Sequence, residues 1–90
     1  MLTLDVAQGL ALQFVLKDFD LSKCDDTIQI ISNRTESFKN GWVFFYNSEK
    51  FLKTGDFDYM LMGNKPVFVN IFSGVATYLR IDVPFEQQVM

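Results

Sequence analysis

Ninety residues carry eight basic and eleven acidic side chains, a net charge of −3, and no histidine. A chain this short builds one domain, residues 1–90, and its 49% apolar content suffices to fold it. The missing histidine removes Ser-His-Asp triads, Cys-His pairs and histidine metal sites, and the absence of any Lys/Arg run argues against nucleic acid as a partner.

The negative excess sits at the start, where Asp5, Asp18, Asp20, Asp25 and Asp26 face only Lys17 and Lys23 in charge balance. No apolar run is long enough to span a membrane. No basic residue precedes Lys17, so the start does not read as a signal peptide and a cytoplasmic protein is expected. The single cysteine, Cys24, permits no internal disulfide and no cysteine-rich zinc site. It is either a small, partly buried side chain or a reactive thiol, with only Lys23 nearby to lower its pKa.

Thr3 caps a predicted helix from Leu4 to Phe19, with Asp5 in its first turn. Val6, Leu10 and Phe14 recur at spacing four beside Ala7, Ala11 and Val15, which predicts a core-facing stripe. Leu12 and Leu16 lie on the back of this helix. Gly9 inside the pattern costs about 1 kcal/mol relative to alanine, or else marks a close packing point. Residues 18–26 read as a solvated acidic connection or as an electrostatic landing site for a basic partner. Thr27 to Asn33 is a β-branched run suited to a strand.

Phe38 to Gly41 offers a turn into a second strand, Trp42 to Asn47, which is apolar on both faces and therefore central. Residues 48–63 are less regular, with Ser48 capping a short helical turn that carries Phe51 and Leu52. Pro66 opens the next strand. Val67 to Ile71 and Val75 to Ile81 form a hairpin through Phe72-Ser73-Gly74, with Gly74 left-handed. That register places Val69 opposite Thr77 and Phe68 opposite Tyr78, giving one aliphatic and one aromatic face. The expected fold is α+β, an N-terminal helix on a four-stranded antiparallel sheet with a short helical or irregular segment between the second and third strands. The helix covers the aliphatic face. The aromatic face is covered by residues 48–63 and the tail from Pro84 to Met90, or it meets another chain.

Chemical motifs are sparse. Asp56-Phe57-Asp58 is an Asp-x-Asp pair but lacks a phosphate cradle, so it reads as a solvated loop and no metal is expected. Asp25 and Asp26 are adjacent and point oppositely in an extended chain, so they form no matched acid-base pair. No cofactor is implied, and an enzyme ranks behind a binding protein.

The runs Gly41-Trp42-Val43-Phe44-Phe45-Tyr46-Asn47-Ser48, Phe51-Leu52-Lys53-Thr54-Gly55-Asp56, Gly63-Asn64-Lys65-Pro66 and Ser73-Gly74 occur in an order that resembles the YrhB-like immunity protein 35 family of bacterial polymorphic toxin systems. The likeness extends over roughly residues 3–86. It implies an α+β protein of the cytoplasm, encoded beside a toxin that it binds and neutralises without catalysis. Trp42, Gly55, Asp56, Gly63, Asn64, Pro66 and Gly74 match the family motif, in roles that look structural. Arg80-Ile81-Asp82-Val83-Pro84 departs from the family's Gly-Thr step and tyrosine near this point. A chaperone-like holdase of the same fold is the alternative. For contacts with a toxin, the residues singled out are Leu12 and Leu16 on the helix back and Asp20, Asp25 and Asp26 as a charged rim. The helix back also offers a surface for a homodimer.

Overall fold

The computed structural model describes residues 1–89, so Met90 at the end of the expected tail lies outside the described residues. In chain order the elements are α1 (Leu4–Leu16), β1 (Ile28–Ile30), β2 (Glu36–Phe38), β3 (Gly41–Phe44), β4 (Tyr46–Ser48), α2 (Glu49–Thr54), β5 (Val67–Asn70), β6 (Ala76–Tyr78) and α3 (Phe85–Gln88). Strands β2-β3-β5-β6 form one antiparallel sheet and β1-β4 a two-stranded ladder. The class is α+β as expected, with α1 on the sheet and α2 in the segment that follows the central strand.

Thr3 caps α1 by accepting a hydrogen bond from the Val6 amide at 3.3 Å. The helix stops at Leu16 rather than Phe19, because the amides of Asp18 and Phe19 both turn back onto the Val15 carbonyl. Its buried centre line is Ala7, Ala11 and Val15, each fully shielded, while Val6 is half exposed. This corrects the predicted stripe. Small side chains bring the helix axis close to the sheet, and the larger Leu10, Phe14 and Leu12 flank them.

The expected strand over residues 27–33 is shorter and belongs to a different ladder. Ile30 lies opposite Tyr46, and Glu36 lies opposite Val43. Six residues on one side therefore answer to three on the other, and the 3₁₀ turn Ser32–Arg34 takes up the excess. The fourth strand of the main sheet is β2, which lacks a β-branched run. The run from Trp42 to Tyr46 alternates as expected: Trp42, Phe44 and Tyr46 face α1, and Val43 and Phe45 face the other side.

The β5–β6 register also differs from expectation. Val69 faces Ala76 and Val67 faces Tyr78, around a four-residue loop, Ile71 to Gly74. Two sets of bonds decide it, one local and one distant in sequence. Asn70 Oδ1 accepts from the amides of Phe72 and Ser73 at 2.8 and 3.0 Å, while the Ile71 amide is held by the Asn40 carbonyl at 2.7 Å. Ile71 is thus committed to the β3 side and cannot pair with Val75. The aliphatic and aromatic sets are consequently mixed, with Tyr78 on the α1 face.

The second face is closed by the tail, with the Arg34 guanidinium over the Phe45 ring beside it. Phe85 and Val89 pack with Val43, Phe68 and Leu79, and Gln88 ties this tail to the chain by bonding the amide and carbonyl of Arg80, each at 2.7 Å. Residues 48–63 do not cross this face; Leu61 packs on the α1 side instead. Phe68 is 7% exposed, so the aromatic face is interior.

Two glycines test this packing in opposite directions. A Cβ at Gly41 would sit 2.0 Å from the Val69 carbonyl oxygen, so Gly41→Ala forces β3 from β5 and costs about 3 kcal/mol. A Cβ at Gly9 would have no other atom within 4 Å, so Gly9→Ala stabilises the fold by about 1 kcal/mol through helix propensity. Urea unfolding of both variants measures the two signs.

Candidate functional site

The acidic connection between α1 and β1 divides into two kinds of carboxylate. Asp20 Oδ1 accepts from the hydroxyl and amide of Ser22 at 2.7 and 3.0 Å. These bonds hold its carboxyl below the usual range, and the group remains exposed. Asp25 occupies a left-handed position, φ 53°, which turns the chain and leaves its side chain exposed as well. Asp26 turns inward. Its Oδ1 accepts from the amides of Thr27 and Lys50 at 2.8 and 3.1 Å, and its Oδ2 accepts from the Ser48 hydroxyl. Burial pushes the Asp26 carboxyl up, but these bonds and the Lys50 charge outweigh it and hold the group low.

Ser48 is fully buried and accepts from the Phe51 amide at 3.1 Å, so it is the predicted cap of a short helix, α2. Asp26 serves that cap rather than a partner-facing rim. Leu16 is 41% exposed, whereas Leu12 is half-buried against the core. Cys24 is exposed.

Of the motif residues, Asn64 lies against β4, whereas Trp42 is on β3 and Gly74 is in the β5–β6 loop near Leu2 and Leu10. Asn64 Nδ2 donates to the Tyr46 carbonyl at 2.9 Å, and the Tyr46 hydroxyl donates to the Lys65 carbonyl at 2.6 Å. Pro66 is buried and leads into β5, and Trp42 packs half-buried on the α1 side. Gly55, Gly63 and Gly74 share φ 73°; Gly55 ends α2 with its amide on the Phe51 carbonyl. Asp56 Oδ1 accepts from the Asp58 amide at 2.9 Å, so the Asp-x-Asp pair shapes a turn.

A pocket of about 200 Å³ lies between the end of α1 and this motif, lined in part by Asp18, Phe19, Tyr46 and Tyr78. The Tyr78 hydroxyl donates to Asp18 Oδ2 at 2.6 Å, and Phe14 packs on the Tyr78 ring with centroids 4.7 Å apart. Burial, then the Asp18 charge, pushes the Tyr46 phenol up to about 12. Burial, then the Asp18 hydrogen bond, raises Tyr78 further. Both phenols stay protonated near neutrality, so both act as donors: Tyr78 fastens the end of α1 to the sheet, and Tyr46 holds the segment before β5.

Sequence reasoning missed Tyr46, Tyr78 and Asp18 as a group. Asp18 and Tyr78 stand sixty residues apart, and nothing local to either announces the other. It also missed Asn47, whose Oδ1 accepts from the Leu61 amide at 2.8 Å; an asparagine inside an otherwise apolar strand was the available signal.

Two outcomes follow from these bonds. Ser48→Ala removes the α2 cap and the inner partner of Asp26, and costs about 2 kcal/mol in chemical unfolding. A phenol whose folded pKa is raised stabilises the fold fully below its unfolded value, about 10. Stability is therefore level to that pH and falls toward the folded Tyr46 value of about 12. Unfolding across alkaline pH checks this, and Tyr46→Phe flattens part of the decline.

No helix among the described residues is long and apolar enough to cross a membrane. In comparison with known proteins, a family model described as Immunity protein 35 fits residues 15–87. No curated protein matches, and no solved structure matches. The fitted span runs from the last residues of α1 into α3, taking in every strand and every motif residue named above. The chain belongs to the immunity protein 35 family.

Proposed function

We propose that this chain is an immunity protein of a bacterial polymorphic toxin system, which binds a cognate toxin in the cytoplasm and neutralises it by occlusion, without catalysis. Family membership carries the proposal. The surface supports it. Asp20 and Asp25 hold exposed carboxylates at the α1–β1 connection, in the part of the chain that contains the whole negative excess. Such a face steers a basic partner and raises its association rate. A standard interface takes about 800 Å² from each partner, a minor share of the 5936 Å² available here. The domain is large enough to cover a toxin's working surface.

A second reading, a chaperone-like holdase, draws on the exposed Phe57, Met62, Phe72 and Ile81. A holdase suppresses aggregation of unrelated clients; an immunity protein protects against one toxin.

Co-expression with the product of the adjacent toxin gene restores growth, and the two proteins copurify; failure of both contradicts the proposal. Asp20→Lys with Asp25→Lys slows association with that toxin by roughly tenfold at low salt and by much less at high salt. Asp26 is left unchanged because it caps α2. Equal rates for the wild type and the double variant remove the rim from the interface.

A further inference from the structure

Strand β1 has a strand partner along one edge and none along the other, where Ile28 and Ile30 are 3% and 7% exposed. The Glu49 amide donates to the Thr27 carbonyl and the Ile31 amide to the Phe45 carbonyl, each at 2.8 Å. Because antiparallel bonding alternates along a strand, the amides and carbonyls of Ile28 and Ile30 point away from β4. Among the described residues no hydrogen bond engages these four groups. The far side of the same ladder is treated differently, since Asn64 covers the outward Tyr46 carbonyl.

The open edge gives onto a groove of about 750 Å³ whose opposite wall is Asp5, Gln8, Gly9 and Leu12 of α1. That spacing sets the four residues in one line along the helix. Leu16, partly exposed, continues the line. Gly9 is the informative member. It weakens the helix, yet apart from its chain neighbours and its own helix backbone nothing lies within 4 Å of where its Cβ would be, so internal packing does not require it. Its missing side chain leaves clearance on that wall of the groove. An added strand would run about 4.8 Å beyond β1, in the space that a larger residue at position 9 would narrow.

Charge decides the occupant. Asp5 and Glu49 line the groove and no lysine or arginine does; Lys53, which pairs with Glu49 at 3.0 Å, is 68% exposed and can exchange. A second copy seated here would set these carboxylates against their own counterparts. A basic segment would neutralise them.

We infer that the open edge of β1 is completed by an extended, lysine- or arginine-bearing segment of another protein, added as a strand beneath the Asp5-Gln8-Gly9-Leu12 line of α1. This rests on the toxin-binding proposal and names the toxin's segment as the occupant. Backbone pairing with Ile28 and Ile30 supplies affinity, and the acidic walls select the charge.

The test uses the full chain, the product of the adjacent toxin gene, and the variants Gly9→Ala and Gly9→Gln. Both substitutions favour helix, so thermal melting at or above the wild-type midpoint verifies folding. Gly9→Gln weakens toxin binding by roughly tenfold or more, and Gly9→Ala, which adds only one methyl to the groove wall, weakens it by a smaller factor of about three. Toxin binding also slows amide exchange at Ile28 and Ile30. Undiminished binding by Gly9→Gln, or unchanged exchange at both amides in the complex, overturns the strand-addition proposal and leaves the immunity proposal standing. No binding by the wild type overturns both. A dimer of the free protein that Gly9→Gln dissociates in sedimentation makes a second copy the occupant and likewise overturns it.

Discussion

The strand pair from Trp42 to Tyr46 is apolar on both sides, and that constraint organises the rest of the molecule. Phe44 and Val43 point in opposite directions and both are fully shielded from solvent. One layer cannot achieve this. α1 dries the side that carries Trp42, Phe44 and Tyr46, and the short tail around Phe85 and Val89 dries the side that carries Val43 and Phe45. The division explains why a helix with an alanine-lined centre suffices on one face while two large apolar residues are placed with such economy on the other.

Sheet edges are the second constraint, because unpaired backbone groups invite another strand. The outward carbonyl of Tyr46 is capped by Asn64, and the Asp26-Ser48 network converts the end of β4 into a helix start. Asn64, Gly55 and Asp56 thus manage edges and turns. Asn64 and Pro66 do this work within the packed structure, while Gly55, Asp56 and Gly63 do it at exposed turns. On the α1–β1 side the carboxylates of Asp20 and Asp25, the half-exposed Leu16 and the open edge of β1 belong to neighbouring stretches of chain.

Much of this was legible in the sequence. The Thr3 and Ser48 caps, the two-sided central strand and the left-handed Gly74 each follow from local chemistry that involves a few consecutive residues. Failures came where distant bonds override local pattern. β5 and β6 alternate well enough to support more than one register, and the deciding bonds involve Asn40 and the Asn70 side chain. Strand β2, Glu-Ser-Phe, has little intrinsic strand character and forms because β3 offers it an edge. Of the residues singled out for contacts, Asp20, Asp25 and Leu16 are at the surface, Leu12 is half-buried on the groove wall, and Asp26 is drawn inward by Ser48, a partner twenty-two positions away.

The account depends on neutralisation by contact, with both proteins chemically unchanged. The most direct measurement titrates the active toxin with this chain to full inhibition, separates the pair under denaturing conditions, refolds the toxin, and determines its mass and activity. Unchanged mass with full activity recovered is the predicted result. A toxin returned with altered mass, or inhibited at far below an equimolar amount of this chain, would show that bonds are made or broken and would contradict the account.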